Sequence, residues 1–223
     1  MAIHYPDGSM SGRLGNIVFY KVNGKTRSRL IAANFRESNK VSQLYNKLSM
    51  GVVSRFVAKN SAVINIGYQG PAKGYPVQEA ISTIWKSAIV LPDIPMDVKI
   101  SKKPAEYPSP TLDYSKVVVS RGLISMPELT AVSRSGDTLT MEWPTTVPTP
   151  ECSHQDQLTG LIYSEEGKSF PCYNIASRKS GTGNVIIPHF LKGELHAWFF
   201  WHNPYKNHDQ SMENVSGSVY VKL

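Results

Sequence analysis

The chain has 223 residues, 41% hydrophobic and 18% charged, the make-up of a folded protein rather than a disordered one. Its 16 glycines and 15 prolines point to short elements joined by many turns, and its length allows one large domain or two small ones. The formal charge of +7 is unevenly placed: residues 13–59 carry ten Lys and Arg against one acid, Glu37 (+9), while residues 131–223 carry seven against nine (−2).

A local basic patch of this kind attracts anionic partners, whether nucleic acid, an acidic protein surface or lipid head groups. No apolar run approaches the length of a membrane-spanning helix. The opening MAIHYPDGSMSG has neither the basic n-region nor the apolar h-region of a signal peptide, so a cytoplasmic chain, or one in a particle assembled there, is expected. Cys152 and Cys172 are then expected as free thiols.

Along the chain, Asn23-Gly24 between two β-prone runs is a strong hairpin signal, because both central residues of a type I′ turn need positive φ. A two-residue loop pairs Val22 with Lys25, Tyr20 with Arg27 and Val18 with Arg29, placing all six on one face. Tyr20, Lys25, Arg27 and Arg29 thus form a candidate partner-binding face. The bland alternative is a solvated face whose long stems cover Val18 and Tyr20. Ile17 and Phe19 mark the other face, apolar toward its Gly15 end.

From Val41, apolar residues at Leu44, Tyr45, Leu48, Val52, Val53, Phe56 and Val57 follow a helical period, with Gly51 costing about 1 kcal/mol relative to Ala. Residues 64–74 read as a loop on their glycines and proline. A second helix opens at Pro76 and carries Val77, Ala80, Ile81, Ile84, Trp85, Ala88 and Ile89 as one stripe, ending before Pro92. Residues 91–110 hold five prolines (Pro92, Pro95, Pro104, Pro108 and Pro110) and read as a linker or an extended exposed loop.

Beyond residue 111 the pattern turns to β. Candidate strands are 117–119, 129–133, 138–143 (Leu139, Met141 and Trp143 inward), 161–164, 173–178, 184–187, 195–201 and 215–221. About seven short strands with regular turns and an early Trp suggest a sandwich of the immunoglobulin or fibronectin-III kind. The expected fold is therefore α+β. Residues 1–110 form a basic hairpin-and-helix region ending in the Pro-rich stretch, and residues 111–223 form the β-sandwich.

Catalytic patterns are scarce. The six histidines form no HExxH, and the glycines form neither GxGxxG nor a Walker loop; no GxSxG elbow is present. His202, His208 and Asp209 could gather in one loop, but scattered polar residues explain them better, and no metal or cofactor is expected. Cys152 and His154 are close in sequence, which does not make a triad. Ala197-Trp-Phe-Phe-Trp201 could stack on sugars or bases, yet alternation sends Trp198 and Phe200 one way and Phe199 and Trp201 the other. One pair is expected in the sandwich core and the other against the N-terminal layer, and nothing else supports carbohydrate binding.

The segments SGRLGNIVFYKVNGKTRSR, LDYSKVVVSRG and LTMEW together resemble an uncharacterised family of Bacteroidota proteins of similar length. The opening motif is also similar to segments of some phage virion proteins. Those continue into a basic N-P-R-T-x-x-Q stretch, of which this chain keeps Gln43 but not the Pro-Arg-Thr part. The resemblance implies no site residues. The expected function is that of a non-enzymatic structural or interaction protein, a subunit of a phage-like or other extended assembly. Its expected partner is another copy of itself or another protein subunit, with nucleic acid as the alternative.

Overall fold

The structure, a computed structural model, describes residues 2–6, 8–22, 24–31, 40–69, 75–101, 103–205 and 214–223. The chain divides into two compact units, Met1–Asn39 and Lys40–Leu223.

The first unit is an antiparallel meander of β1 (Ala2–His4), β2 (Met10–Leu14), β3 (Ile17–Val22) and β4 (Lys25–Leu30), in that spatial order. The hairpin pairs as the sequence requires: Val22 with Lys25, Tyr20 with Arg27 and Val18 with Arg29. Gly24 takes φ 76°, and Asn23 lies outside the described residues. The two preceding strands are also followed by turn dipeptides, Asp7-Gly8 and Gly15-Asn16, but sequence reasoning did not resolve them.

The second unit begins with helices α1 (Val41–Lys59), α2 (Ser61–Gly67) and α3 (Pro76–Ser87). α1 and α3 follow their apolar stripes, and Pro76 opens α3 where its missing N–H costs nothing. The loop expected over 64–74 is helical up to Gly67. Val63 and Ile64 are buried there, and apolar packing outweighs the weak local signal. Residues 70–74 lie outside the described set.

Two short strands, β5 (Ile89–Val90) and β6 (Thr111–Leu112), pair antiparallel and close the base of the Pro-rich stretch. That stretch is a loop tied to α1, not a tether between domains: Val41 N–H donates to Val98 O (2.9 Å), Ser42 N–H to Met96 O (2.9 Å) and the Tyr45 hydroxyl to Pro108 O (2.8 Å). Residues 117–119 form no strand. The Tyr68 hydroxyl satisfies Val118 O at 2.8 Å and Ser218 Oγ accepts from Val119 N–H at 3.2 Å, so side chains replace a ladder while Val117 and Val119 are buried.

The remaining strands are β7 (Ala131–Ser135), β8 (Thr138–Glu142), β9 (Gln157–Ser164), β10 (Ser169–Cys172), β11 (Thr182–Ile186), β12 (Leu195–His202) and β13 (Val219–Lys222). They form two antiparallel sheets, β11-β8-β7 and β10-β9-β12-β13. The strand expected over 173–178 lies earlier, at β10. Pro171 is tolerated because β10 is an edge strand, and Asn174, at φ 48°, ends the extended run.

Two apolar clusters sandwich the four-stranded sheet. Leu139, Met141, Trp143 and Val185 of the three-stranded sheet and its flank meet Leu158, Ile162, Ala197, Phe199 and Trp201 on one side. On the other, Val53, Phe56, Ile64, Ala80 and Ile84 of the helices meet Leu161, Trp198 and Phe200. The helices are thus a layer on the β-sandwich sheet and belong to the same compact unit. A division near residue 110 would cut through this cluster, whereas the unit boundary falls at 39/40.

Candidate partner-binding surface

The register carries the hairpin's face across the rest of the first sheet. Arg13 of β2 pairs with Val18 of β3, and directly opposed residues share a face, so Arg13 joins Tyr20, Lys25, Arg27 and Arg29. The face therefore holds four cations around one phenol. Sequence reasoning missed Arg13 because only the β2–β3 pairing brings it there. Arg13, Lys25, Arg27 and Arg29 are exposed, and among the described residues none has a carboxylate partner. Arg13 Nε donates to Gly15 O at 2.8 Å, holding its stem along the β2–β3 turn. Tyr20 is 38% exposed, so part of its ring is open for stacking.

The opposite face carries Leu14, Ile17, Phe19 and Leu30, gathered toward the Gly15 end. Leu14 is 59% and Leu30 74% exposed, and Ile3 on the basic face is 57% exposed. Among the described residues of this unit, no apolar side chain is buried. A single sheet of this size normally needs a packed face for stability.

The remaining candidates fall elsewhere. Trp198, Phe199, Phe200 and Trp201 are all buried, divided between the two clusters as strand alternation requires, and offer no stacking platform. His202 is half-buried, and burial lowers its pKa; His208 and Asp209 lie outside the described residues. Cys152 and Cys172 are free and buried. Burial pushes the Cys172 thiol up to about 12. Burial raises Cys152 too, but hydrogen bonding with Thr149 and Ser125 outweighs it and the net shift is downward. The Cys152 sulfur lies 3.2 Å from Thr149 Oγ1.

Among the described residues no helix is long and apolar enough to cross a membrane. No protein-family model, curated protein or solved structure matches the chain.

Proposed function

We propose that the chain is a non-enzymatic structural and interaction protein, a subunit of a phage-like or other extended assembly, with its N-terminal sheet as the contact surface. The observation that carries this reading is a four-stranded sheet exposing apolar side chains on both faces while burying none among its described residues. Such a sheet gains stability when a second surface covers it. Its exposed cations Arg13, Lys25, Arg27 and Arg29 favour an acidic partner surface, and residues 131–223, at −2 against +9 for residues 13–59, carry the complementary net charge on another copy of the chain. Contact between unlike surfaces of identical copies is heterologous and builds rings or filaments.

The C-terminal strands serve as a rigid module in this scheme. We infer a fibronectin-III-like sandwich, supported by the three-plus-four division of strands with β10 on the edge beside β9. The constant immunoglobulin arrangement instead sets four strands against three, with the fourth on the other sheet.

Light scattering at low and high salt, with imaging of the same sample, tests the assembly reading. Rings, filaments or large oligomers that disperse in salt are expected. Arg27→Glu with Arg29→Glu should abolish them while the circular dichroism spectrum stays unchanged; assembly unaffected by the pair would remove this face from the interface.

The joining of Arg13 to the basic face favours nucleic acid as the second reading. Four phosphate contacts would give log K against log salt a slope of about −3.6. Binding indifferent to ionic strength would exclude it.

A further inference from the structure

The turns at one end of the β9–β12 pair bring two acidic residues face to face. Leu195 pairs with Ser164, and one step further Glu165 N–H donates to Glu194 O at 3.3 Å. Like charges opposed across a strand pair repel one another. His196 follows two residues after Glu194, on the same side of the sheet, with its side chain 5% exposed. Its Nδ1 shares a 2.8 Å hydrogen bond with the Tyr220 hydroxyl, and its ring stacks on Tyr114 with centroids 4.2 Å apart. Nε2 is buried and has no hydrogen-bond partner. It is aimed at Glu165 Oε1 (3.7 Å) and Glu194 Oε1 (4.0 Å), and one ligand atom from each of the three residues lies within 4.8 Å of the others. Lys222 Nζ stands at the edge, 2.6 Å from Glu194 Oε1.

We propose that Glu165, Glu194 and His196 bind a divalent transition-metal ion, and that Lys222 holds Glu194 when the ion is absent. Three independent features converge on it. A buried imidazole nitrogen facing two carboxylates suits a cation between them, and two carboxylates match the charge of a dication. Donation of Nδ1–H to Tyr220 would leave the Nε2 lone pair free, and the Tyr114 stack fixes the ring plane, the outer support metal-bound histidines characteristically have. Ligands on a tetrahedral zinc-class ion lie about 3.4 Å apart, so the carboxylates, both substantially exposed, would close in by about 0.3 and 0.6 Å on Nε2 and by up to about 1.4 Å on one another.

The nitrogen ligand excludes Ca²⁺ and Mg²⁺, which take oxygen shells. Glu165 also borders an open groove of about 800 Å³ lined in part by Tyr114, so this carboxylate is reachable from solvent. This inference does not depend on the assembly reading. The Glu194-x-His196 spacing alone does not announce it, because Glu165 joins them only through the β9–β12 register.

Calorimetric titration of the full chain with zinc chloride tests the proposal. One ion per chain is expected, with no heat from magnesium chloride. Glu165→Gln and Glu194→Gln, at exposed positions that leave the fold intact, should each weaken binding at least about tenfold, and Tyr220→Phe about tenfold through the histidine. Lys222→Met should bind about two- to fivefold tighter, because it frees Glu194 from a surface ion pair. His189→Asn, at an exposed histidine elsewhere, should change nothing. Absence of zinc binding would overturn the proposal. So would binding that survives the double Glu→Gln variant, which would place the ion on other histidines or thiols.

Discussion

Tyr68 and Cys172 each keep a proton in the folded chain that the unfolded chain gives up sooner. Burial holds the Tyr68 hydroxyl, a donor to Val118 O, at about 12 against an ordinary 10.0, and holds Cys172 at about 12 against 9.0. Above about pH 9 the unfolded state therefore binds fewer protons, so stability falls as pH rises. The contribution is complete below the ordinary values and lost toward pH 12, each group adding up to about 1.4 kcal/mol per pH unit. The melting temperature should drop steadily across this window; a flat profile would show that neither proton is retained.

At the same scale, Asp156 is fully buried and accepts from Ser153 N–H (2.8 Å), Asn203 Nδ2 (2.9 Å) and Arg178 Nε (3.2 Å). The Arg178 guanidinium also lies 4.4 Å from the Trp201 ring centroid. Removing one partner of a buried pair strands the other's charge, so Asp156→Ala should cost about 3–5 kcal/mol in denaturant unfolding. A loss below about 1 kcal/mol would mean that Arg178 finds relief elsewhere. Gly160 shows the other kind of single-residue constraint. A Cβ there would lie 2.5 Å from Phe199 Cδ1 and 2.8 Å from Trp198 O, so Gly160→Ala should destabilise by about 1–3 kcal/mol.

β12 is the element on which the second unit turns, because each of its faces packs into a different apolar cluster. Ala197, Phe199 and Trp201 close the sandwich, while Trp198 and Phe200 seat the helices, with Trp198 edge-on to Phe56 at 5.9 Å. Trp198→Ala should cost about 3–5 kcal/mol. Hydrogen exchange should then rise first in α1–α3, while β7, β8 and β11 keep their protection. Uniform loosening of both layers would contradict this division of labour. The strand's eight residues carry nearly unbroken burial, the pattern of a strand covered on both sides.

For the whole molecule, both apolar clusters draw only on residues after 40. A chain of residues 40–223 should therefore melt cooperatively within a few degrees of the full chain. It should also lose salt-sensitive assembly, because the exposed basic sheet is gone. Retained assembly in the shortened chain would move the contact to the second unit. The uneven charge is a whole-molecule property too: it governs association and its salt dependence rather than the fold.

Elements whose signal is local were legible in the sequence. Asn23-Gly24 set the hairpin register, the apolar stripes marked α1 and α3, and alternation sorted Trp198 and Phe200 from Phe199 and Trp201. Each rests on backbone geometry within a few residues. Signals that depend on distant partners were not. Val117 and Val119 have strand-like composition, but Tyr68 and Ser218 take their ladder's place; Ile64 became helical because the core covers it; β10 needed an edge position to accept Pro171. The metal cluster belongs with these. Glu194 and His196 are neighbours on one strand and its turn, but long-range pairing alone brings Glu165 and Tyr220 within reach of them. Sequence by itself determined the local conformations and the placement of charge, since neighbouring residues dictate both. Only the tertiary structure decided which strands share a sheet, how the helices join it and which polar groups meet, because pairing energy comes from surfaces the chain brings together from far apart.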